Sequence, residues 1–343
     1  MTTKEFLINV TQTSGASGFE KTTATAIKKA FEPFCDEVTI DNLGNVIAKK
    51  KGKTEKSIMF CAHMDEVGMM VTAVEEDGKI RLSAIGGIDP RAFLYQKATI
   101  QGANKLPGFI CMTAPRGETL PSTSAPKVED LYVDTGLSPK RVKELVRPGN
   151  IVTTDRTIRD LQGSRITGKA LDDRAGVAAL YACAQNLGRY DHDHTVYFVA
   201  SVQEEVGCRG AGVATRAIHP DIGIAVDVGF AKNPDFPTVD VEMGKGPIIA
   251  VGPNCNYNLV KKLREASVKY AIACQTMTLP VPKGTDASVM QIQNDGVFTG
   301  VITIPLMYMH TPAETITMSD LEKTGRLLSS LVIDLDGKEF VGY

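Results

Sequence analysis

Tryptophan is absent from this 343-residue chain, and aromatic residues of all kinds make up only 6% of it. Polysaccharide hydrolases commonly bind sugar rings on large, flat aromatic side chains, so the missing indole counts against that class. Charge of one sign is also lacking, because 38 Lys and Arg face 40 Asp and Glu, for a formal net charge of −2. We therefore expect no partnership with nucleic acid or with an anionic membrane.

Long apolar runs are missing too. The first ten residues, MTTKEFLINV, contain neither the apolar core nor the cleavage site of a signal peptide, and no later segment is long enough to span a bilayer. The seven cysteines are scattered without any Cys-x-x-Cys spacing, which favours free thiols in a reducing compartment. We expect a soluble, cytoplasmic protein in which Cys208 is a packing residue of a glycine-rich loop rather than a catalytic thiol.

Five short stretches of the chain each offer residues that can bind a divalent metal. They are His63 and Asp65 in CAHMDEVG, Asp172 and Asp173 in GKALDDRAG, Glu204 and Glu205 in VQEEVG, Asp227 in AVDVG, and His310 in MYMHTPAE. Most of them follow an apolar, strand-like run, which predicts that they lie at strand ends, where the functional groups of open α/β sheets collect. Imidazole and carboxylate donors without cysteine indicate Zn²⁺, Co²⁺ or Mn²⁺ rather than an iron–sulfur cluster.

Each motif taken alone has a simpler structural explanation. A His after an apolar run is often a packed core residue, and Asp172-Asp173 could be the N-cap of a helix predicted from Ala175. Glu204 and Glu205 differ, because two adjacent carboxylates beside a buried strand need a cation to offset their desolvation. The three other histidines are left unassigned, two as exposed loop residues and one in a turn: His192, His194 and His219.

The order of the motifs resembles that of the M42 metallopeptidases, a family of co-catalytic aminopeptidases whose members have often been labelled endoglucanases. The resemblance covers essentially the whole chain, from SGASGFE to MHTPAE. It implies two divalent ions per subunit, Zn²⁺ or Co²⁺ with Mn²⁺ as a further option, bound by five ligands: His63, Asp172, Glu205, Asp227 and His310. It also implies that Glu204 is the general base and that Asp65 orients His63.

The chemistry of peptide hydrolysis explains why these residue types are needed. A bound metal lowers the pKa of its water to about 7, and a carboxylate must then accept the proton. Two ions about 3.5–4 Å apart need an anionic bridge, for which we select Asp172. The terminal ligands would then be His63 with Asp227 on one ion, and Glu205 with His310 on the other. Glu204 must stay off the metal to act as a base, and the resemblance implies a strained or cis Asp172-Asp173 peptide.

The pattern of predicted secondary structure changes twice along the chain. Short β-like runs separated by turns fill residues 68–166, whereas helices and strands alternate before and after them. We expect an α/β fold, with a mixed-sheet catalytic metallopeptidase domain that has helices on both faces and is formed by residues 1–67 and 167–343. A small β-rich, barrel-like domain is inserted at 68–166. The ligands flank this insertion, so the metal site belongs to the α/β domain.

The insertion contributes no ligand of its own. Its apolar residues are expected to serve packing and subunit contacts: Leu94, Ile100, Phe109, Ile110, Leu131 and Val133. The resemblance implies a homo-oligomer, in which subunits pair through this domain and dimers build a hollow dodecamer; the alternative is a self-contained lid. Local patterns further predict a capping box at Ser17–Glu20 before a helix, a strand at Thr195–Ser201 and a helix at Tyr257–Lys269.

The predicted function is a dinuclear-metal aminopeptidase that removes N-terminal residues from short peptides. An N-acyl amino-acid deacylase, or another co-catalytic metal hydrolase, would use nearly the same ligands and stays open. A glycoside hydrolase needs only two carboxylates about 5–10 Å apart, which leaves the histidines unexplained. A non-enzymatic binding protein predicts that at least one ligand is lost, and none is.

The preferred N-terminal residue is left open by the sequence. The segment KGTDAS around Asp286 looks like the GGTDA segment of the resembled family, with Lys283 where a glycine is more usual. Lys283 either pairs with an acidic side chain of the substrate or is a surface lysine, and we favour the latter.

Overall fold

The computed structural model describes residues 1–102, 104–112, 126–234, 236–281 and 284–335 of the chain. Lys283 lies outside these residues, so the choice between its two interpretations stays a prediction. Two helices and three strands precede the β-rich stretch: α1 (Thr3–Thr11), α2 (Lys21–Phe31), β1 (Glu37–Ile40), β2 (Val46–Lys50) and β3 (Ser57–His63).

The β-rich stretch folds into a closed barrel of six strands. Its elements are β4 (Gly68–Val74), β5 (Ile80–Ile85), the one-turn helix α3 (Pro90–Phe93), β6 (Lys97–Gln101), β7 (Lys105–Met112), β8 (Leu131–Asp134), α4 (Pro139–Leu145) and β9 (Ile151–Thr154). The strands follow one another around the barrel in the order β4-β5-β8-β7-β6-β9, and all six neighbouring pairs are antiparallel. Because the barrel is closed, each of its six strands is paired with a neighbouring strand on both sides.

The chain then returns to alternating strands and helices. These elements are β10 (Arg159–Asp160), β11 (Arg165–Gly168), α5 (Leu171–Leu187), β12 (Thr195–Ser201), α6 (Arg209–Ile218), β13 (Ile222–Phe230), β14 (Ile248–Val251), α7 (Tyr257–Lys269), β15 (Gln275–Thr278), α8 (Ala287–Met290), β16 (Phe298–Leu306), β17 (Glu314–Thr317) and α9 (Met318–Asp334). The predicted strand at Thr195–Ser201 and the predicted helix at Tyr257–Lys269 are confirmed.

Eight strands from both ends of the chain form one mixed sheet, in the order β1-β2-β12-β3-β13-β16-β14-β15. The four central strands β12, β3, β13 and β16 are parallel to one another, while β2 and β14 pair with them antiparallel. The predicted α/β class, with a mixed sheet and an inserted barrel, is confirmed. The domain limits at 67/68 and 166/167 stay a prediction. β10 lies within the predicted insertion, but it pairs with β11, which in turn pairs with β17, rather than with the barrel.

Alternation along the central strands separates two apolar layers. On β3, Ile58, Phe60 and Ala62 join the large core that includes residues of α1, α2, α5, α7 and α9. Met59 and Cys61 face the opposite way and pack with residues of α6 and α8. Because successive side chains of a strand point to opposite faces, His63 emerges at the end of β3 on the α6 and α8 side.

The barrel has its own apolar core, to which four of the six residues singled out in the insertion belong: Ile100, Ile110, Leu131 and Val133. Leu94 packs against that core, whereas Phe109 is 50% exposed on the outside. These residues therefore serve packing as expected, and Phe109 is the one left on the surface. Within the described ranges, no helix combines the length and apolar character that crossing a bilayer requires.

Two local expectations are wrong. His192 and His194 are 4% and 5% exposed rather than loop residues in solvent, because the segment before β12 folds onto the turn after β2. The capping box at Ser17–Glu20 does not form either. Glu20 occupies the N-cap of α2 without a side-chain cap, and its carboxylate accepts the backbone N–H groups of Gly18 and Gln203 instead.

Candidate metal centre

Four neighbouring parallel strands carry predicted ligands toward one edge of the sheet. His63 is the last residue of β3, Glu204 and Glu205 follow β12, and His310 lies in the loop after β16. Asp227 differs from the expectation of a strand end, because it lies inside β13, which continues to Phe230. The buried strand β13 therefore continues beyond Asp227.

Asp172 reaches the same site from the start of α5. The backbone at Asp172 and Asp173 is not helical, and the peptide bond between them is cis, as the resemblance implied. The side chain of Asp173 caps the start of α5, because its Oδ1 accepts the Gly176 N–H at 3.0 Å. A Cβ at Gly176 would lie 2.3 Å from Asp173 Oδ2, so this cap needs a glycine. The cap leaves the carboxylate of Asp172 free to face the site.

Asp172 lies between the two predicted histidine ligands. Its Oδ1 is 3.0 Å from His63 Nε2, and its Oδ2 is 3.3 Å from His310 Nε2. A second acid lies near the same nitrogen of each imidazole: Asp227 Oδ1 is 3.9 Å from His63 Nε2, and Glu205 Oε1 is 3.2 Å from His310 Nε2. All five predicted ligands therefore meet, in two groups that share Asp172.

The spacing of these donor atoms fits divalent ions. Nitrogen and oxygen donors about 2.0–2.2 Å from a tetrahedral zinc lie about 3.3–3.6 Å from one another, and the four separations range from 3.0 to 3.9 Å. Mixed imidazole and carboxylate donors suit zinc, cobalt or manganese. Donor atoms of His63 lie within 4.8 Å of carboxylate oxygens of Asp173 and Asp227 in one set, and of Asp172 and Glu205 in another.

The electrostatics of the cluster also favour the binding of a cation. Burial raises the pKa of Asp227 well above its ordinary value and raises that of Glu205. Burial alone would lower the pKa of both imidazoles, but hydrogen bonds with carboxylates, first with Asp172, raise the pKa of His63 well above its usual range and that of His310 to about 11. Bound divalent ions would offset the charge of these buried carboxylates.

Asp65 holds two of the motifs together. Its Oδ1 is 3.4 Å from His63 Nδ1 and accepts the Glu204 N–H at 3.0 Å, while its Oδ2 accepts the Glu205 N–H at 3.2 Å and the Ser17 hydroxyl at 2.6 Å. An imidazole that donates from Nδ1 keeps the Nε2 lone pair for the site. Asp65 is therefore placed to orient His63 and to fix the backbone of both glutamates.

Glu204 lies at the edge of the cluster rather than between the histidines. Its Oε2 is 3.9 Å from His63 Nε2, and its Oε1 accepts the Cys208 thiol at 3.3 Å. Burial raises the pKa of Glu204 to about 7. Burial also raises the pKa of the Cys208 thiol far above its usual range, so the thiol stays protonated and acts as a donor. The sequence predicted that Cys208 is a packing residue and did not predict its contact with Glu204.

Glu314 is the functional residue that sequence reasoning missed. Its Oε2 accepts the backbone N–H of Leu171 at 2.7 Å and of Asp172 at 3.0 Å, and its Oε1 accepts the N–H of His310 at 2.9 Å. One buried carboxylate thus fixes the main chain under the shared ligand and under His310, whose φ is +59°. An acid four residues after His310 in MHTPAE was the available signal.

Asp286 anchors the KGTDAS segment to the sheet. Its Oδ2 accepts the Ser201 hydroxyl at 2.6 Å and the Cys61 thiol at 3.3 Å, so the start of α8 is held against the ends of β12 and β3. A cavity of about 280 Å³ opens beside this segment and is lined by all five predicted ligands and Glu204. Its remaining lining residues come mainly from β13 to β16.

Comparison with known proteins identifies this arrangement. A family model described as M42 glutamyl aminopeptidase matches residues 44–327. The chain belongs to the M42 peptidase family. A lysyl aminopeptidase of Pyrococcus furiosus is 37% identical to this M42 peptidase over 345 residues, which cover 98% of each chain. The predicted family is confirmed.

Solved structures agree with this assignment. A TET aminopeptidase of Thaumarchaeota archaeon SCGC AB-539-E09 superposes on this chain with a TM-score of 0.92 at 28% identity, over 98% of both chains. A TET peptidase of Pyrococcus horikoshii, described as assembling into a tetrahedron or a large octahedral shell, gives a TM-score of 0.87 at 31% identity, over 97% of this chain and 100% of that one. This M42 peptidase is a metallo-aminopeptidase hydrolase, and the non-enzymatic alternative is wrong.

Proposed function

We propose that this M42 peptidase hydrolyses single N-terminal residues from peptides with two divalent ions, bound by His63 and Asp227, by Glu205 and His310, and by Asp172 between them. The observation that carries the proposal is the position of the Asp172 carboxylate, with one oxygen toward each imidazole and a separate acid near the same nitrogen of each. A single bridging carboxylate with separate terminal ligands is the arrangement that a two-ion centre requires.

The protein residues around the centre divide the remaining work. When bound, the ions supply Lewis acidity that lowers the pKa of a water to about 7. Glu204, beside His63 but outside the shared ligand set, accepts the proton and returns it to the leaving amine. Asp65 keeps His63 in the tautomer that directs Nε2 inward.

A panel of blocked and unblocked substrates tests this proposal. Metal-loaded protein is expected to remove residues one at a time from peptides with a free amine and to leave N-acetylated peptides intact. Product release followed by mass spectrometry gives the order of removal. Cleavage of N-acetyl amino acids without cleavage of free peptides would instead establish a deacylase. Cleavage of an acetylated peptide at an internal bond would reject an exopeptidase of any kind.

The quaternary structure is part of the same proposal. We propose that the inserted domain at 68–166 pairs subunits and that pairs assemble into a closed dodecamer, which places many sites in one chamber. The shell-forming relatives and the exposed Phe109 on the barrel support it. Light scattering is expected to give a particle many times the 36.9 kDa subunit mass. A stable monomer with full activity would contradict this assembly.

The location of the enzyme is proposed from its cysteines. Cys35, Cys61, Cys111, Cys183, Cys208, Cys255 and Cys274 are all free thiols. Unpaired cysteines are the rule in reducing compartments. We place the enzyme in the cytoplasm.

A further inference from the structure

The cavity beside the metal centre has two unlike halves. One half is formed by the predicted ligands and Glu204. The other described lining residues carry no charge, and most are apolar; we call them the aliphatic half, and they include Val228, Ile248, Ala250, Met277, Leu279 and Val301. An N-terminal residue whose amine and carbonyl lie at the centre must direct its side chain along this second half.

Within the described part of the chain, no charged partner for a substrate side chain lines the aliphatic half. Among the described residues that line the cavity, the ionisable ones all belong to the centre: His63, Asp172, Glu204, Glu205, Asp227 and His310. A lysyl or glutamyl side chain in the aliphatic half would lose water without gaining an opposite charge, which is strongly unfavourable. Apolar side chains gain from the same burial.

The size of the cavity limits what it accepts. Its volume of about 280 Å³ falls just below the range of about 300–1,000 Å³ that is typical of pockets for drug-sized ligands. That space holds one residue beside the centre rather than a longer segment of peptide. A large aliphatic or aromatic side chain fills the apolar half better than alanine does.

We infer that this M42 peptidase selects N-terminal residues with large apolar side chains, such as Leu, Met and Phe, over Lys and Glu. The inference rests on the proposed function, since it assigns the substrate class of the same site. It departs from the names of the family model and of the Pyrococcus furiosus relative, which are glutamyl and lysyl aminopeptidases. One methylene in an apolar pocket changes kcat/KM by about 10–200-fold, and Leu has three more side-chain carbons than Ala, so Leu should exceed Ala by at least about 10²-fold.

A pair of variants on β15 gives the sharpest test. Met277 lines the cavity and is half-buried, whereas its neighbour Thr278 is exposed and does not line it. Met277→Asp places a carboxylate in the apolar half, and Thr278→Asp adds the same charge on the other face of the strand. Nitroanilides of Leu, Met, Phe, Ala, Lys and Glu would be assayed with the metal-loaded enzyme and with both variants.

The wild-type enzyme is expected to hydrolyse the Leu, Met and Phe substrates at least about 10²-fold more efficiently than those of Lys and Glu. Met277→Asp should raise the Lys-to-Leu ratio of kcat/KM by about 10²-fold, while Thr278→Asp leaves that ratio unchanged. A wild-type preference for Lys or Glu would overturn the inference. So would an unchanged ratio in Met277→Asp, and a Glu preference abolished by Lys283→Ala would assign selectivity to that lysine instead.

The failure of the proposed function can be told apart from the failure of this inference. If no nitroanilide is cleaved, the proposed function is wrong. The selectivity of the cavity is then measured by the binding of ligands instead of by catalysis. Amino alcohols derived from Leu, Lys and Glu would then be compared by thermal stabilisation of the metal-loaded protein. Stabilisation by leucinol alone supports the apolar site, and equal or greater stabilisation by the Lys or Glu analogue rejects it.

Discussion

Glu204→Gln is expected to lower kcat by about 10²–10⁴-fold while both divalent ions stay bound. The amide keeps the size of the side chain and can still accept the Cys208 thiol, which lies 3.3 Å from Oε1. It cannot take a proton from water at neutral pH. The lost step is therefore proton transfer alone. Metal content by mass spectrometry and steady-state kinetics on one substrate measure the two effects separately.

The neighbouring Glu205→Gln is the matched comparison for this variant. Glu205 Oε1 lies 3.2 Å from His310 Nε2. These two residues belong to the donor group that Asp172 shares with the His63 group. Loss of its charge should release an ion before it affects the chemistry, so activity should recover with excess metal. If Glu204→Gln lost its metal and kept most of its kcat, the roles of the two glutamates would have to be exchanged.

Asp172→Asn is expected to cost both ions and to lower kcat/KM by about 10³-fold or more. The ions contribute several kcal/mol of transition-state stabilisation, and about 1.4 kcal/mol corresponds to a factor of ten. Among the described residues, Asp172 is the one acid within 3.3 Å of both imidazoles, so both donor groups lose their shared carboxylate at once. Dialysis against a weak chelator followed by metal analysis measures the loss of affinity.

Asp173→Asn provides the control next to it in the chain. Burial raises the pKa of Asp173 well above its usual range, and an amide keeps the size of its side chain. The amide oxygen can still accept the Gly176 N–H that caps α5. We expect Asp173→Asn to retain its ions and most of its activity. An equal loss of metal in both variants would contradict a special role for Asp172.

Much of the α/β fold could be predicted because local patterns and tertiary structure agree there. The β12 segment TVYFVAS is a continuous apolar strand between polar boundaries, and a parallel strand buried on both faces has this composition. The motifs at the ends of such strands must meet, since parallel neighbours place their carboxyl ends at one edge. The five predicted ligands needed no more than that rule and the family resemblance.

Long-range contacts set the features that the sequence did not reveal. His192 and His194 look like solvent-exposed loop residues, yet a distant turn covers them. Glu314 looks like any acid near a helix start, and its role depends on three backbone N–H groups from two other segments. The apolar half of the cavity is assembled from β13 to β16, which lie up to several dozen residues apart in the chain. No local pattern marks such a surface.

The most direct test of the two-ion centre is a titration of metal-stripped protein with Zn²⁺, Co²⁺ or Mn²⁺, in which bound metal and peptidase activity are measured on the same samples. We predict no activity without metal, and full activity only when two ions are bound per subunit through the site that contains Asp172. Peptidase activity that persists after verified metal removal, or that saturates with one ion bound per subunit, would contradict this account.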